Sequence, residues 1–401
     1  MKFKKSLALL LTGGLMAGIL AGCGSEKSET TESTGEQKGS TVIKIATQSP
    51  LSGGAATIGE AIKLGAQLNL DEQKDKFKEM GFELQLVPFD DQADPKKGVA
   101  NAQLIGSDKD ILAIVGHFNS GVAIPSSEVY EKYAIPMVSP AVSATDVTDR
   151  GLKTVNRICA RDDFQGPAGA EFAVNTLNAK KIFIIQDKTA YGSGLAEAFK
   201  KAAEEKGADI LGFEGITVGE KDFNGVLNQV LSKKPDLVYF GGLYSEAGLL
   251  IKQAREKGID IPFVGGDGMD SSTLVEIAGD AIKNTYITSL AGDSTKTEEG
   301  QKFIDKYKAT FNKNTESYSV YGYDTMGLIL KGIEDAIKAN DNKLPSREQV
   351  RDTIRGVKNY EGVLTKASFN DIGDNEFAKV FIYSFKEAAY PAESVGEVGL
   401  E

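Results

Sequence analysis

The chain has 401 residues, of which 41% are hydrophobic and 26% charged, values that are ordinary for a globular protein with two or three domains' worth of chain. Its formal net charge of −11 provides no basic footprint and argues against a nucleic-acid partner. A single His leaves little room for imidazole chemistry or for a His-rich metal site.

The first 22 residues have the organisation of an export signal. A lysine-rich start precedes an apolar stretch, 7–20, which is too short and too glycine-broken to span a membrane. The Leu-Ala-Gly-Cys sequence that ends at Cys23 resembles a bacterial lipobox, which implies cleavage before Cys23 and a lipid thioether on its sulfur. Residues 24–40 contain no large apolar side chain, so we expect a flexible tether. These features predict an extracytoplasmic protein anchored to the cell membrane through lipidated Cys23.

The second cysteine, Cys159, follows an alternation of apolar residues and is predicted to be a buried core thiol. Because processing accounts for Cys23, we predict no disulfide. An exported chain without a disulfide depends on the size of its core, and this chain is long enough to bury a large one.

From residue 41 onward, short apolar strands alternate with helices, which indicates parallel sheets and an α/β fold. Strands are predicted over 42–46, 82–89, 111–115, 135–138, 181–186, 210–217, 237–240, 261–264 and 286–290. Helices are predicted over 60–72, 96–105, 122–133, 164–177, 194–207, 223–233 and 246–257. Three helices (297–313, 321–339, 347–355), two closing strands (362–369, 377–385) and a patternless tail from about residue 388 are predicted to follow. Two series of strands and helices predict two lobes, whose connection order periodicity does not give.

The stretch 111–146 carries the strongest signal for a binding site. Two consecutive predicted strands end in loops of small hydroxyl-bearing residues, Ser120 in the first loop and Ser139, Ser143 and Thr145 in the second. Ligands of an open parallel sheet bind just outside the carboxyl ends of its strands. Hydroxyls beside the free N–H groups of a helix start suit a carboxylate. Helix capping explains the same residues equally well, so this stretch alone does not decide between the two.

Asp267 ends a predicted buried strand within a Gly-Gly-Asp-Gly sequence, where its carboxylate could face the ammonium group of a ligand. A turn-forming aspartate is the alternative. Tyr191 and Tyr244 stand in other strand-end loops, where each could offer a ring face and a hydroxyl. Hydroxyls, an acid and aromatic rings describe a pocket for an α-amino acid rather than a catalytic site.

Three other motifs have simpler explanations than catalysis. The Gly-Ser-Gly sequence at 192–194 lacks the third glycine of a dinucleotide loop, because Glu197 stands there, so a tight turn is the better interpretation. The aspartates of 90–94 could bind a metal ion, but the Asp-Pro helix start favours a capped turn. His117 has no obvious nucleophile partner and is expected to be a hydrogen-bonded structural residue. An enzyme of doubly wound fold is therefore disfavoured.

Nine segments match one family in the same order along residues 41–383: SPLSGGAATIGEA, FDDQADPKKGVANAQLI, VGHFNSG, PMVSPAVSAT, DDFQGPAGAEF, DKTAYGSGLAEAF, GITVGEKDFNGVLNQV, YFGGLYSEAGLLIKQAREKG and FVGGDGMDS. The chain resembles the leucine/isoleucine/valine-type substrate-binding proteins of branched-chain amino acid ABC transporters, which have the type I periplasmic-binding fold. The resemblance implies two doubly wound parallel-sheet lobes, joined by a hinge of three crossover strands, that close on a ligand. It also implies a monomer without cofactor, metal or catalytic turnover that delivers its ligand to an ABC permease.

Mapped onto this chain, the resemblance implies six segments: a lipoprotein signal peptide (1–22), the lipidated Cys and tether (23–40), the first part of lobe 1 (41–160), lobe 2 (161–288), the second part of lobe 1 (289–368), and the return to lobe 2 with the C-terminal tail (369–401).

The resemblance also implies roles for individual residues. Ser120 and Ser143 would hold the ligand carboxylate, and the Ala141 carbonyl, the Ser143 hydroxyl and Asp267 would hold the ammonium. Tyr191 would approach from the second lobe, as Asp267 does. The ligand side chain would contact a further set of residues, Ile58, Phe118, Tyr244 and Tyr318. Asn119, next to Ser120 in the first loop, is the tenth residue expected at the ligand.

Several positions depart from the family pattern. Ser143 stands where the family's Leu/Ile/Val binders have a Thr, and Asp267 stands where the family often has a Glu. Ile58 replaces an aromatic residue that is common in the first loop, and Asn119 rules out a disulfide that some relatives carry there. We therefore expect the amino-acid backbone site to be retained, with Leu, Ile and Val favoured and little discrimination among them, since one methylene contributes only about 0.8 kcal/mol. Other apolar amino acids or small amides stay open as ligands. A ligand-sensing module of the same fold is the alternative, disfavoured because no signalling domain is expected.

Overall fold

A computed structural model describes residues 41–399 of the protein. The signal peptide, Cys23 and the tether predicted for residues 1–40 lie outside the described residues. Within 41–399, no helix combines the length and the apolar character that crossing a membrane requires.

The first sheet of the described chain has five parallel strands in the order β2-β1-β3-β4-β5. These strands are β1 Thr41–Ser49, β2 Phe82–Asp90, β3 Ile111–Gly116, β4 Met137–Ser139 and β5 Val155–Arg157. Every residue of β3 is buried. Its first two residues, Ile111 and Leu112, point to opposite faces of the sheet and belong to different hydrophobic clusters. Burial on both faces of a parallel sheet explains why these strands are continuous apolar runs.

The second sheet of the described chain has seven strands in the order β14-β13-β10-β9-β8-β6-β7. They are β6 Lys181–Gln186, β7 Asp209–Gly215, β8 Leu237–Gly241, β9 Phe263–Gly265, β10 Thr285–Ser289, β13 Lys379–Phe385 and β14 Glu393–Gly399. The strands β6 to β10 are parallel, whereas β13 and β14 are antiparallel additions at one edge. A separate two-stranded ribbon pairs β11 Tyr360–Glu361 with β12 Lys366–Ala367.

The α-helices of the described residues are α1 Ala56–Glu79, α2 Pro95–Ser107, α3 Ser120–Lys132, α4 Asp146–Asp149, α5 Asp162–Glu171, α6 Ala190–Glu205, α7 Asn224–Lys233, α8 Tyr244–Glu256, α9 Ser272–Ala278, α10 Glu298–Phe311, α11 Ser317–Ala339 and α12 Arg347–Arg355. The predicted helix over 164–177 continues past α5 as a π-helical turn, Phe172–Thr176. The predicted α/β class with parallel sheets is confirmed.

The described chain passes between the two sheets three times. It crosses from β5 to α5, which packs against α6, then from β10 to α10, and finally from β12 to β13. After the second crossing, α11 packs along α1 and against β3. Glycines allow this close approach, because a Cβ on Gly65 would collide with the Ser319 carbonyl oxygen and one on Gly322 with the Ile62 carbonyl oxygen.

Two predictions near the C-terminus are wrong. Residues 362–369 do not form one strand, because the carboxylate of Asp324 accepts the backbone N–H groups of Val363, Leu364 and Thr365 and holds that segment as a loop. The tail, predicted to have no regular structure, forms strand β14, which pairs antiparallel with β13. Most side chains of 391–398 are exposed or half-buried on this edge strand, so an apolar alternation is too faint to mark it.

Candidate ligand-binding site

A cavity of about 370 Å³ lies between the two sheets, within the size range of about 300–1,000 Å³ that small-molecule sites have. From the first sheet's side it is lined by Ala93, Pro95, Phe118, Asn119, Ser120, Gly121, Val122 and Ala141. From the second sheet's side it is lined by Lys188, Thr189, Ala190, Tyr191, Val218, Leu243, Asp267 and Gly268. Both sets follow the carboxyl ends of strands, where a parallel sheet offers its ligand site.

Six of the ten predicted ligand-binding residues line this cavity: Phe118, Asn119, Ser120, Ala141, Tyr191 and Asp267. The other four, Ile58, Ser143, Tyr244 and Tyr318, are buried next to it or in the core and do not line it. The structure therefore brings together the groups predicted for the amino-acid backbone more fully than those predicted for the ligand side chain.

The loop after β3 presents Ser120 as the first residue of α3. The backbone N–H of Ala144 donates to Ser120 Oγ at 3.3 Å, which ties this loop to the loop after β4. Asn119 Oδ1 is buried without a partner. Ser120 and Gly121 therefore line the cavity at the N-terminus of α3, where a helix offers N–H groups to an anion.

The loop after β4 uses its hydroxyls differently from the prediction. Ser139 Oγ donates to the His117 carbonyl oxygen at 2.8 Å and accepts the N–H groups of Ala141 and Val142, so it shapes the loop and does not line the cavity. Thr145 also lies outside the lining, at the start of α4. Ser143 Oγ is buried and has no partner, although its residue contributes no surface to the cavity.

Asp267 is the acidic group of the cavity and is only 4% exposed. Its Oδ1 accepts from the Tyr191 hydroxyl and its Oδ2 from the Tyr318 hydroxyl, both at 2.7 Å. Because α11 packs on the first sheet, the bond from Tyr318 joins the two halves of the site. Burial raises the pKa of Asp267, against the opposing effect of both phenol donors. The glycine at 268 is required, since a Cβ there would lie 2.7 Å from the Gly242 carbonyl oxygen.

Asp162 is a residue that sequence reasoning missed. It begins α5, is 2% exposed, and both of its carboxylate oxygens lack a hydrogen-bond partner. Its backbone N–H donates to the Ser143 carbonyl oxygen at 2.9 Å, which places it directly behind the second loop. Burial, reinforced by the charge of Asp267, raises the pKa of Asp162 to about 8. Its neighbour Asp163 is largely exposed and pairs with Arg161, and nothing in the sequence distinguishes the two aspartates.

The comparison with known proteins decides the family. The periplasmic binding protein family matches the chain over residues 42–382. This chain belongs to that family. The family is one of binding proteins and not of enzymes.

Similar proteins span nearly the whole chain. The Leu/Ile/Val-binding protein BraC3 of Rhizobium johnstonii is 34% identical over 344 residues, which cover 86% of this chain and 92% of that protein. The leucine-binding protein LivK of Thermotoga maritima superposes with a TM-score of 0.81 at 28% identity, covering 89% and 98% of the two chains. The branched-chain amino acid transporter substrate-binding protein LivJ of Streptococcus pneumoniae, solved with isoleucine, gives 0.79 at 25% identity, covering 88% and 99%.

Three of the predicted ligand-binding residues that do not line the cavity are buried behind it or in the core. Ile58 is 1% exposed and belongs to the main core cluster. Tyr244 is fully buried as the first residue of α8. Tyr318 supports the cavity from behind, because its ring meets the Phe118 ring edge-on at 6.0 Å between centroids.

His117 and Asp94 have the structural roles that were predicted for them. His117 is fully buried, with Nδ1 3.3 Å from Asp91 Oδ2 and Nε2 3.0 Å from the Tyr130 hydroxyl, so its predicted structural role is confirmed. Asp94 caps α2 by accepting two backbone N–H groups, and the capped turn is likewise confirmed. In the part of the chain that the structure describes, no group of three or more His, Cys, Asp or Glu side chains is arranged to hold a metal ion.

The tight turn predicted at 192–194 is wrong, because these residues lie in the first turns of α6, where Gly192 allows close packing on β8: a Cβ there would lie 2.5 Å from the Gly241 carbonyl oxygen. The prediction for the second cysteine is confirmed. Cys159 is a buried free thiol, 3.4 Å from the Val142 carbonyl oxygen, and burial raises its pKa.

A larger cavity of about 480 Å³ lies beside the β10–α10 crossing and contains Asp270 and Glu316. Both carboxylates accept hydrogen bonds within the protein, as Asp267 does in the smaller cavity. Asp270 accepts from the hydroxyls of Ser289 and Tyr390, and Glu316 accepts the N–H and the hydroxyl of Ser272. The smaller cavity differs in two ways: it is lined from the strand ends of both sheets, and its lining includes a buried polar atom without a partner, Asn119 Oδ1.

Proposed function

We propose that this chain is an extracytoplasmic lipoprotein that binds a branched-chain amino acid between its two lobes and delivers it to an ABC permease. The observation that carries the proposal is the buried carboxylate of Asp267 at the cavity, whose hydrogen-bond partners are two phenols and not a cation. A buried carboxylate is stabilised by a positive charge. The ligand ammonium supplies that charge. The names of the relatives, Leu/Ile/Val-binding protein among them, support the same ligand class.

The backbone of the amino acid would be held at its two charged ends. Ser120, the N-terminus of α3 and the unpartnered hydroxyl of Ser143 would take the carboxylate. Asp267 and the Ala141 carbonyl oxygen would take the ammonium. Tyr191 fixes the orientation of Asp267, because its hydroxyl donates to Oδ1 and accepts the Gly268 N–H at 2.8 Å.

The ligand side chain would meet the apolar part of the lining. Phe118 and Val122 on one side and Leu243 and Val218 on the other provide that surface. Burying a Leu-sized side chain there contributes about 1.5–3 kcal/mol. Because the single methylene that separates Val from Leu or Ile contributes only about 0.8 kcal/mol, we expect all three to bind with affinities within about tenfold.

We further propose that the chain forms two lobes. Lobe 1 comprises 41–160 and 289–368, and lobe 2 comprises 161–288 and 369–401. The lobes open and close on the ligand. Cys23 carries the lipid that keeps a monomer near its permease. The alternative is a ligand-sensing module for another small amino acid or an amide.

The test is isothermal titration calorimetry of the purified protein, stripped of carried-over ligand by unfolding and refolding, against each of the twenty amino acids and their amides. Binding of Leu, Ile and Val with a 1:1 stoichiometry is expected. Binding of an amide or a different amino acid alone would favour the sensing module, and no binding at all would contradict the proposal. Metabolic labelling with a radioactive fatty acid tests the anchor: label in the wild type and none in Cys23→Ser is expected, and label retained in that variant would refute it.

A further inference from the structure

We propose that Asp162 and Asp267 share one proton while the site is empty, and that the ammonium of the incoming amino acid displaces that proton into solvent. This inference rests on the proposed function and adds a regulation of the same site: ligand affinity is coupled to pH through Asp162.

The first observation is the state of the Asp162 side chain. Both carboxylate oxygens of Asp162 are buried without a hydrogen-bond partner. The same holds for three other atoms, Ser143 Oγ, Gln165 Oε1 and the Tyr239 hydroxyl oxygen. Both carboxylates contact the same stretch of α6: Asp162 Oδ2 lies 3.6 Å from the position that a Cβ on Gly194 would take, and one turn earlier the Tyr191 hydroxyl donates to Asp267 Oδ1. Buried polar atoms in native proteins are almost always paired, so a group of orphans indicates a missing partner.

The second observation is the lack of a free cation. Arg157 is the nearby positive charge, but its guanidinium is committed to Asp374, at 2.6 Å, and to the carbonyl oxygens of Val142 and Ala144. Arg161 is likewise engaged, by Asp149, Asp163 and Asp374. Within residues 41–399, neither Asp162 nor Asp267 forms an ion pair with a Lys or Arg side chain.

Two carboxylates that share a buried site do not both ionise readily, so one of them keeps a proton. Asp267 has two phenol donors at 2.7 Å that stabilise its anion, whereas no group makes a hydrogen bond of good geometry to Asp162, and the nearby Ser143 hydroxyl only partly opposes the rise of its pKa. The proton therefore sits on Asp162, whose pKa burial and the Asp267 charge raise to about 8. The other titratable and charged groups that face this pair are Arg157 on β5, Cys159, Asp163 on α5, Tyr191 on α6, Tyr239 on β8 and Tyr318 on α11.

Binding changes this balance. An ammonium placed against Asp267 adds one positive charge, which stabilises the ionised form of Asp162 and lowers its pKa. Asp162 does not line the cavity, so it acts as a positioning residue through the field at the ammonium rather than by direct contact. Ligand binding then releases a proton to the buffer below pH 8 and none well above it. Affinity rises with pH until Asp162 is ionised in the empty protein, by up to tenfold per pH unit.

The experiment is calorimetry with leucine at pH 6, 7, 8 and 9, in pairs of buffers with different ionisation enthalpies. For the wild type we expect release of close to one proton at pH 6 and 7, release falling toward zero at pH 9, and a dissociation constant about tenfold lower at pH 7 than at pH 6. Asp162→Asn is expected to abolish both effects. Asp163→Asn, at the exposed neighbouring position, is the matched control and should retain both the proton release and the pH dependence, because the Asp163 charge contributes less than burial and Asp267 do to the pKa of Asp162.

Each result decides something. Leucine binding that is independent of pH and releases no proton would overturn this inference and leave the proposed function standing. Proton release that persists in Asp162→Asn would also overturn it, by assigning the titration elsewhere, for example to Asp270. Failure to bind any amino acid at any pH would overturn both proposals.

A second measurement on the wild type avoids dependence on any variant's folding. 4-Methylpentanoic acid has the shape of leucine without its ammonium. If it binds, we expect no proton release, and release equal to that of leucine would contradict the inference.

Discussion

Replacing Asp267 by Asn tests the ammonium assignment with the smallest change of shape. The substitution keeps the size of the side chain and removes its charge from a site that is 4% exposed. Removing one partner of a buried ion pair costs about 3–5 kcal/mol, because the other charge stays buried and unpaired. That cost corresponds to a loss of leucine affinity of about 100- to 4,000-fold.

The same substitution should leave the fold intact. Burial raises the pKa of Asp267, which means that the empty protein already gains from neutralising this group. The amide oxygen of Asn can still accept one of the two phenols, so we expect the unfolding temperature of the empty protein to fall by no more than a few degrees. Calorimetry measures the affinity and differential scanning calorimetry the fold.

Asp267→Glu is the matched control, because it retains the charge on a side chain one methylene longer. It should lose much less affinity than Asp267→Asn. Leucine binding by Asp267→Asn within fivefold of the wild type would refute the assignment of this carboxylate to the ammonium.

Three further predictions concern the neighbours of Asp267. Tyr318→Phe removes one hydroxyl donor to Asp267 and keeps the ring that packs on Phe118, so leucine affinity in calorimetry should fall about 10- to 100-fold; an unchanged value would show that Tyr318 only packs. Ser120→Ala should weaken leucine binding by a similar factor through the loss of a charge-assisted hydrogen bond, and equal affinity would remove Ser120 from the carboxylate site. The raised pKa of Asp162 stabilises the empty protein at low pH, and this contribution is lost as pH rises toward about 8. The unfolding temperature without ligand should therefore decline from pH 6 to 9, less steeply in Asp162→Asn; parallel profiles would contradict this.

The fold could be predicted where burial leaves a mark on the sequence. The strand over 181–186 and the helix over 347–355 have the predicted bounds, because a buried parallel strand is a continuous apolar run and a capped amphipathic helix has clear ends. The prediction failed where pairing depends on distant partners. Asp324 holds the loop after β11 by contacts across about 40 residues of chain, and β14 is an exposed edge strand, so neither leaves a local pattern.

The site could be predicted down to its loops but not to every side chain. Ser120 and Ala141 follow neighbouring buried strands of the first sheet, and the geometry of a parallel sheet brings such positions together. Asp267 follows a strand of the second sheet, and only the placement of the two sheets brings it to the same cavity. A hydroxyl in such a loop serves either the ligand or the loop, and only the structure shows that Ser139 shapes the backbone. Asp162 could not be chosen over its exposed neighbour, because burial depends on where α5 meets the rest of the fold.

A crystal structure of the protein with leucine tests the central claim most directly. The account predicts leucine in the cavity between the two sheets, with its ammonium within hydrogen-bond distance of Asp267 and the Ala141 carbonyl oxygen and its carboxylate at Ser120. Leucine in the reverse orientation, or in the cavity beside Asp270 and Glu316, would contradict it.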